Sequence, residues 1–390
     1  MQRISAIAIT LLLLPLAGCD MAAFAAGSTI AVFDRAQGSL PRYRDPDLAE
    51  VGIQASITQF EGVLMVKPEE PKLRLMLCRA YASFAFGFMV DHMEHAERAE
   101  QDEAAEHFRH RASISFLRAR VIGLEQMNLW HREDGGVEGH EHAGVDSWKA
   151  YLRRFDNRDQ VGILFWTAYS WIQYIGINKD DMDAVADLPL ATALAERAAE
   201  LDPTYYMNAP QALLAGLHGS TSEQMGGHPQ QAKEEFDRVI AATQRHNFMY
   251  LVMEAKIVAV ALQDRHMYRT LLEEVLNGDV NVDPDQRLSN VLAQRRAARY
   301  IEQIDDLFEP DPNDHPTDEN VPEDAREDDD PHAQAPTPAP APAAPAPAPA
   351  APEAAVTPAP AAPAAPAAAH PAHPARPARP AGGAAPAPTH

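Results

Sequence analysis

Residues 161–177 form a run of seventeen side chains without a charge, and this run limits the possible folds most strongly. Its length is at the lower end of what crosses a bilayer, but its aromatic residues lie in the middle, where a lipid-facing helix prefers aliphatic side chains. These residues are Trp166, Tyr169, Trp171 and Tyr174, and they spread around a helix instead of forming one stripe. The run therefore predicts a helix that is enclosed by its neighbours or lines an apolar cavity.

A second pattern recurs along the chain: small or aromatic residues at helical spacing, in two cases followed by a proline. Small side chains let the two helices of a hairpin approach closely, and proline ends a helix because it has no N–H. One hairpin cannot bury both of its faces, so such hairpins stack. The pattern predicts an all-α, tetratricopeptide-like stack of helical hairpins over residues 45–308. It occurs at Ser56, Phe60 and Val63 before Pro68; at Ala112, Phe116 and Ala119; at Ala191, Ala195 and Ala198 before Pro203; and at Gly216, Ala232 and Phe236.

Capping residues and apolar spacing predict the individual helices. Asp45 is the expected N-cap of a helix over residues 48–65, and Pro71 opens the next helix. A strongly charged helix is expected over residues 92–124. The last helix, over residues 285–308, is expected to cap the stack.

The N-terminus resembles a bacterial export signal. Arg3 gives a positive start, residues 4–16 are apolar, and the Leu-Ala-Gly-Cys sequence of residues 16–19 resembles a lipobox. We therefore predict a lipoprotein signal peptide over residues 1–18, acylation of Cys19, and a tether over residues 19–44. The acyl chains, at about 0.8 kcal/mol per buried CH₂, would anchor a periplasm-facing domain to the inner or the outer membrane. An ordinary secretory signal with a chance cysteine is the alternative.

The formal net charge of −23 disfavours nucleic acid as a partner. Much of this charge lies in residues 305–330, which hold thirteen carboxylates against one arginine. Residues 309–334 are predicted to be an acidic linker. Residues 335–390 are rich in proline and alanine and have almost no large apolar side chain to bury, which predicts a disordered, extended tail. We expect this tail to be a passive spacer.

Four histidines are weak candidates for a metal site. His92 and His95, and again His107 and His110, are three residues apart on what the pattern predicts to be one long helix, so each pair shares a helix face. Glutamates accompany them throughout, which favours a solvated helix face, and no cofactor is predicted.

Cys78 lies among apolar residues, which predicts a buried, inert thiol. No catalytic motif is recognisable, so no catalytic residue is predicted.

A further set of motifs is ordered along the chain between residues 45 and 308. The set comprises Val161-Gly162-Ile163-Leu164-Phe165-Trp166 with Ala168, Trp171 and Ile172; Leu188-Pro189; Glu196-Arg197-Ala198 with Leu201-Asp202-Pro203 and Tyr205; Gly216-Leu217; Gly226-Gly227 with Ala232 and Phe236; and Asp305-Asp306-Leu307-Phe308. This set resembles the T-component (TatT) family of tripartite ATP-independent periplasmic (TRAP) transporters. The insert over residues 132–144 and the tail after Phe308 depart from that family's pattern.

The resemblance implies a periplasmic lipoprotein that forms a homo-trimer and docks on the transporter's substrate-binding P subunit. It also implies an apolar channel through each protomer and no enzymatic role. In that setting Trp166, Tyr169, Trp171 and Tyr174 are candidates for the channel wall, although their spacing alone favours plain core.

The resemblance therefore implies a membrane-anchored accessory subunit of a TRAP-type uptake system that holds or conducts an apolar or amphipathic solute. The alternative is an envelope scaffold whose groove binds a peptide or helix of another protein, without a small ligand. An enzyme is the third class, and no residue pattern favours it.

Overall fold

The computed structural model describes residues 21–220 and 227–309, and within these ranges the chain is helical, without a β-strand. The predicted all-α class is confirmed. The helices are α1 (Met21–Ala36), α2 (Pro46–Val66), α3 (Pro71–Arg98, with a π-helical turn at Ala85–Met89), α4 (Asp102–Trp130), α5 (Gly136–His142), α6 (Val145–Leu152), α7 (Val161–Ile177), α8 (Met182–Ala186), α9 (Leu188–Leu201), α10 (Tyr205–Ser220), α11 (Pro229–Ala242), α12 (Phe248–Glu254, continued through a π-helical turn at Ala255–Ala259 to Val260–Leu262), α13 (Arg265–Asn277), α14 (Arg287–Ile301) and α15 (Ile304–Leu307).

The uncharged run is helix α7, and its predicted enclosure is confirmed. Twelve of its seventeen residues are buried, and it packs against α3, α4 and α9. The first predicted helix is also confirmed, because the Asp45 carboxylate accepts hydrogen bonds from the N–H groups of Asp47 and Leu48 at the start of α2. Such a cap satisfies donors that the helix leaves without partners.

Most residues of the small-and-aromatic pattern lie at helix contacts. Ala112, Phe116 and Ala119 of α4 are fully buried, as are the three alanines of α9 and the Ala232–Phe236 pair of α11. Helices α4 and α7 approach each other closely at Gly123, whose backbone faces Thr167. Ser56 differs from the rest of the pattern, because it lines a cavity described below.

The predicted single helix over residues 92–124 is wrong, because the chain breaks between α3 and α4. Glu100 adopts a left-handed conformation, with φ of 56°. The N–H of Gln101 then donates to the Ala96 carbonyl at 2.9 Å, which closes the end of α3 in the manner of a Schellman motif. His92 and His95 therefore lie on a different helix from His107 and His110.

The segment predicted as a tether, residues 19–44, carries helix α1 and packs on the stack. The ring of Phe33 lies 5.1 Å from that of Phe60, and Arg42 forms an ion pair with Asp285 at 2.6 Å. The packed part of the chain thus begins before residue 45, because α1 has an apolar face of its own. The predicted signal peptide (1–18), Cys19 and the tail (335–390) lie outside the described residues and stay predictions, as does the acidic linker (309–334), of which only Glu309 is described.

One described helix, α3, is long and apolar enough to cross a membrane by length and composition alone. Within the fold, 67% of the most apolar 18-residue segment of this helix is buried. A core helix meets the same criterion.

A network of buried ion pairs joins α3 to α14. The guanidinium of Arg299 contacts Asp91 at 2.5 Å and Glu94 at 3.2 Å, and Lys256 contacts Glu94 at 2.6 Å. Arg296 lies between the two carboxylates, and Asp91 is only 2% exposed. These contacts link residues about two hundred positions apart in the sequence, so they fasten the N-terminal helices to the C-terminal ones.

Glu254 of α12 is a buried carboxylate whose replacement is expected to stabilise the fold. It is 2% exposed, its Oε1 atom has no hydrogen-bond partner, and burial raises its pKa from 4.5 to about 7. The folded state therefore binds a proton that the unfolded state releases, and stability falls as the pH rises from about 4.5 through 7. We expect Glu254→Gln to add on the order of 1 to 3 kcal/mol at about pH 8 and much less at about pH 5.

Urea unfolding of the two chains at both pH values measures this difference. The exposed Glu200→Gln, in an i,i+3 pair with Arg197, is the control and should change little at either pH. An equal effect of Glu254→Gln at both pH values would show that the carboxylate is not the titrating group.

Candidate functional site

A cavity of about 370 Å³ lies in the stack and opens to solvent, because the exposed side chains of Tyr43 and Tyr206 are part of its lining. Its walls come from α1, α2, α3, α7, α10, α12 and α14, so residues from both ends of the described chain meet there. The lining is mainly aromatic and aliphatic, with a few polar side chains. Small-molecule sites in proteins have this composition and a volume of the same order.

Two of the four predicted aromatic residues, Trp166 and Tyr169, line this cavity. They are three residues apart and share one face of α7. The indole N–H of Trp166 donates to the hydroxyl of Tyr205 at 3.2 Å, and the ring of Tyr169 meets that of Phe86 edge to face at 6.0 Å. These contacts hold both rings in place.

Trp171 and Tyr174, the other two predicted aromatics, lie on the opposite side of α7 and are not part of the cavity lining. Trp171 is fully buried, and the guanidinium of Arg120 lies 3.6 Å from the centre of its ring. Trp148 contacts the same indole edge to face at 6.5 Å. Trp171 therefore serves as core, because a rotation of about 140° separates it from Trp166 on a helix.

A strained turn presents Tyr206 to the cavity. Tyr206, Met207 and Asn208 have φ values of 44°, 58° and 63°, so three successive residues without glycine are left-handed. Each such residue costs about 1 kcal/mol or more, and such strain concentrates at ligand sites. The hydroxyl of Tyr250 donates to the Met207 carbonyl at 2.9 Å and holds the turn. As a result the Tyr206 ring packs 5.2 Å from that of Trp166.

The π-helical turn of α3 supplies another part of the wall, through Phe86, Gly87 and Phe88. A π-helical turn shifts the register of a helix and is frequent at functional sites. Sequence reasoning missed these residues, as it missed Arg79, Tyr206 and Tyr250. The available signal was the Phe-Gly-Phe sequence itself, in which a glycine stands between two aromatics.

The buried phenols of the cavity are neutral. Burial raises the pKa of Tyr169 and of Tyr250 well above the usual value, so neither ionises under physiological conditions. Ionised groups in the lining are Arg79 and Asp285, and Asp285 is paired with Arg42. Arg79 donates to the Tyr206 hydroxyl at 3.1 Å and lies over that ring at 4.7 Å.

Comparison with known proteins identifies the family of this chain. The sequence matches the family profile described as "TRAP transporter T-component" over residues 42–308, which is more than half of the chain. The chain belongs to this family. A protein of Treponema pallidum (strain Nichols), described as uncharacterized, is 21% identical to this T-component over 264 residues, which cover 68% of this chain and 80% of that protein.

Family membership confirms the predicted resemblance and defines the broad function. A T-component accompanies a TRAP transporter, which implies the bacterial envelope as its location. The family is a transporter accessory family and not a family of enzymes.

Two of the four histidines singled out as weak metal candidates have other contacts in this T-component. His92 is 2.9 Å from a Glu50 carboxylate oxygen and packs 5.0 Å from the Phe108 ring, and His107 packs on the same ring. Among residues 21–220 and 227–309, no group of three or more His, Cys, Asp or Glu side chains is placed to hold a metal ion.

Cys78 is fully buried in α3, as predicted. Its thiol lies 3.4 Å from the Ala119 carbonyl, and burial raises the pKa of the thiol to about 12. The reactive thiolate form is therefore suppressed.

Proposed function

We propose that this T-component is a lipid-anchored, periplasm-facing subunit of a TRAP-type uptake system. In this proposal its cavity holds an apolar or amphipathic solute, which the protein passes to the substrate-binding P subunit on which it docks. Two parts of the proposal have other grounds: the trimeric state rests on the family resemblance, and the anchor at Cys19 rests on the lipobox-like sequence of residues 16–19.

The observation that carries the proposal is the cavity between Trp166, Tyr169 and Tyr206. Burial of apolar solute surface there would contribute about 25 cal/mol per Å². The strained turn at Tyr206 supports the same conclusion, because a fold retains such strain where the surrounding structure has a use for the side chain. Rings held by hydrogen bonds also lower the entropy lost on binding.

Native mass spectrometry of the chain from residue 20 onward tests the proposal. Helix α1 begins at Met21, so this form keeps every described helix. We expect a co-purified apolar or amphipathic molecule and a defined complex with a P subunit encoded in the same genome. An empty protein that ignores every P subunit but binds a defined peptide of another envelope protein would replace the proposal with the scaffold alternative.

A matched pair of substitutions on α7 separates solute binding from folding. Trp166→Leu removes a ring from the cavity wall and is expected to weaken solute binding by about tenfold. Trp171→Leu makes the same change on the other face, where it should lower the unfolding midpoint and leave the affinity of the folded protein unchanged. Isothermal titration with dodecanol, together with urea unfolding, measures both quantities. Equal affinities for the two variants would place the solute elsewhere.

A further inference from the structure

We propose that the outer face of helices α1 and α2 lies on the membrane surface and contacts the lipid directly. This inference rests on the proposed function, because it takes Cys19 as the lipid anchor. The outer face is the exposed side of the two helices. It is made of Val32 on α1 and, on α2, of Leu48, Val51, Ala55, Thr58, Gly62, Met65 and Val66.

The exposed side of α2 carries almost no charge. From Leu48 to Met65 its exposed residues recur at alternating intervals of three and four, so they form one stripe along the helix. Asp47, in the first turn, is the one charged residue among the exposed residues of α2. The two glutamates of the helix have partners at its sides: Glu50 lies 2.9 Å from His92, and Glu61 pairs with Arg118 at 2.8 Å. Because a helix face in water normally carries charged residues, we expect this face to be covered.

Exposed apolar side chains concentrate on the same two helices. Within residues 21–220 and 227–309, twelve large hydrophobic side chains are exposed, and five of them belong to α1 and α2. Met65 is the most exposed of the twelve, at 87%. Apolar side chains that cluster in this way mark a contact with another protein or with a membrane.

The position of the predicted anchor favours the membrane. Helix α1 begins at Met21, two residues after Cys19, and a chain spans at most about 3.6 Å per residue. The start of α1 is therefore held within about 7 Å of the acylated cysteine. Since the predicted tether is a packed helix, the domain has no slack with which to stand away from the bilayer. Residues 21–33 contain no charged residue, which suits a helix at the boundary of the lipid.

Helix α2 runs antiparallel beside α1, so its C-terminal end lies near the anchor. The ring of Phe33 packs on that of Phe60, and a Cβ atom on Gly27 would lie 3.6 Å from the Lys67 Nζ atom. Met65 thus belongs to the anchored end of the pair. A covalent anchor also keeps the face at a high effective concentration at the lipid surface, so a weakly apolar face is sufficient for contact.

Oxidation of native methionines tests the inference on the acylated chain. Met65 is 87% exposed on the outer face, and its matched control is Met182 on α8, which is 73% exposed and outside that face. The protein is inserted into vesicles of phosphatidylethanolamine and phosphatidylglycerol and treated with chloramine-T, and peptide mass spectrometry follows each methionine. Because oxidation follows exposure, we expect Met65 to react about tenfold more slowly on vesicles than in the unanchored chain from residue 20, and Met182 to react equally in both.

Val51→Met adds a second reporter on the same stripe. It lies fourteen residues before Met65, which is about 21 Å along the helix axis. If the whole face contacts the lipid, this reporter should be protected on vesicles to the same extent as Met65. Protection that reaches Met65 but not the reporter of Val51→Met would overturn the inference, because only one end of the helix would then touch the membrane.

The remaining outcomes separate this inference from the proposed function. Mass spectrometry of the N-terminal peptide first establishes whether Cys19 is acylated. If it is, and Met65 oxidises on vesicles as fast as in solution, the inference fails while the anchor stands. If Cys19 carries no acyl chain, the anchor of the proposed function fails and the inference with it. Protection of Met65 in the unanchored chain, without lipid, would assign the face to a second copy of the chain and would also overturn the inference.

Discussion

Gly123→Ala is expected to lower the free energy of unfolding by about 3 kcal/mol. A Cβ atom at position 123 would lie 1.8 Å from Thr167 Oγ1 and 2.9 Å from Thr167 Cβ. Both helices are buried at this crossing, so α4 and α7 would have to move apart. Because α7 also forms the Trp166 wall of the cavity, the same change should weaken solute binding. Urea unfolding followed by far-ultraviolet circular dichroism measures the loss.

Two further variants make this prediction specific. Gly62→Ala introduces the same methyl group on α2, where nothing lies within 4 Å, and should stabilise the helix by up to about 1 kcal/mol. Thr167→Ala removes the nearest clashing atom, Oγ1, but keeps the Cβ atom at 2.9 Å, so the double variant Gly123→Ala with Thr167→Ala should recover part of the loss. If Gly123→Ala behaved like Gly62→Ala, the close approach of α4 and α7 would be disproved.

Asp91→Asn is expected to destabilise the fold by about 3 to 5 kcal/mol. Asp91 is 2% exposed and lies within 3.5 Å of guanidinium nitrogens of Arg295, Arg296 and Arg299. Loss of its charge leaves the two buried cations, Arg296 and Arg299, with Glu94 as their remaining carboxylate. Glu97→Gln is the matched control on α3, because the Glu97–Arg109 pair is half-exposed and should contribute no more than about 1 kcal/mol.

The same network predicts that the stability of the fold depends on pH in the acidic range. Burial alone would raise the pKa of Glu94, but the positive charges of the arginines and Lys256 have the larger effect and lower it from 4.5 to about 2. The pKa of Asp91 is lowered as well. Their stabilisation is fully present above about pH 4.5 and is lost as the pH falls towards 2. Asp91→Asn should therefore show a shallower loss of stability in acid than the wild type. Parallel acid slopes for the two chains would contradict this role of the network.

Much of the fold follows from local rules that act over a few residues. The Asp45 cap, the buried alanines of α4 and α9, and the enclosed run of α7 all depend on short spacings that the sequence displays directly. Residues other than glycine that adopt the left-handed conformation have no recognisable sequence pattern. The break at Glu100 and the turn at Tyr206 could therefore not be predicted. Tertiary packing imposes both conformations.

The cavity itself could be predicted only in part, for a related reason. An uncharged aromatic helix indicates either core or a cavity wall, and the neighbours of each face decide between them. Trp166 faces the cavity and Trp171 faces Arg120, yet both residues belong to the same uncharged run of the sequence. Arg79 appears in the sequence as an ordinary charged residue of an amphipathic helix. Its place in the cavity depends on Tyr206, which is 127 positions away.

The most direct test of the central claim is native mass spectrometry of a variant whose cavity is filled. Ser83 lines the cavity, and Ser83→Trp should occupy the space of the solute, whereas Thr58→Trp adds the same ring at an exposed position of α2 outside the lining. The wild type and Thr58→Trp should each retain a small molecule that Ser83→Trp lacks, with equal helical content in all three chains. Equal retention by Ser83→Trp and the wild type would contradict the claim that this cavity holds the solute.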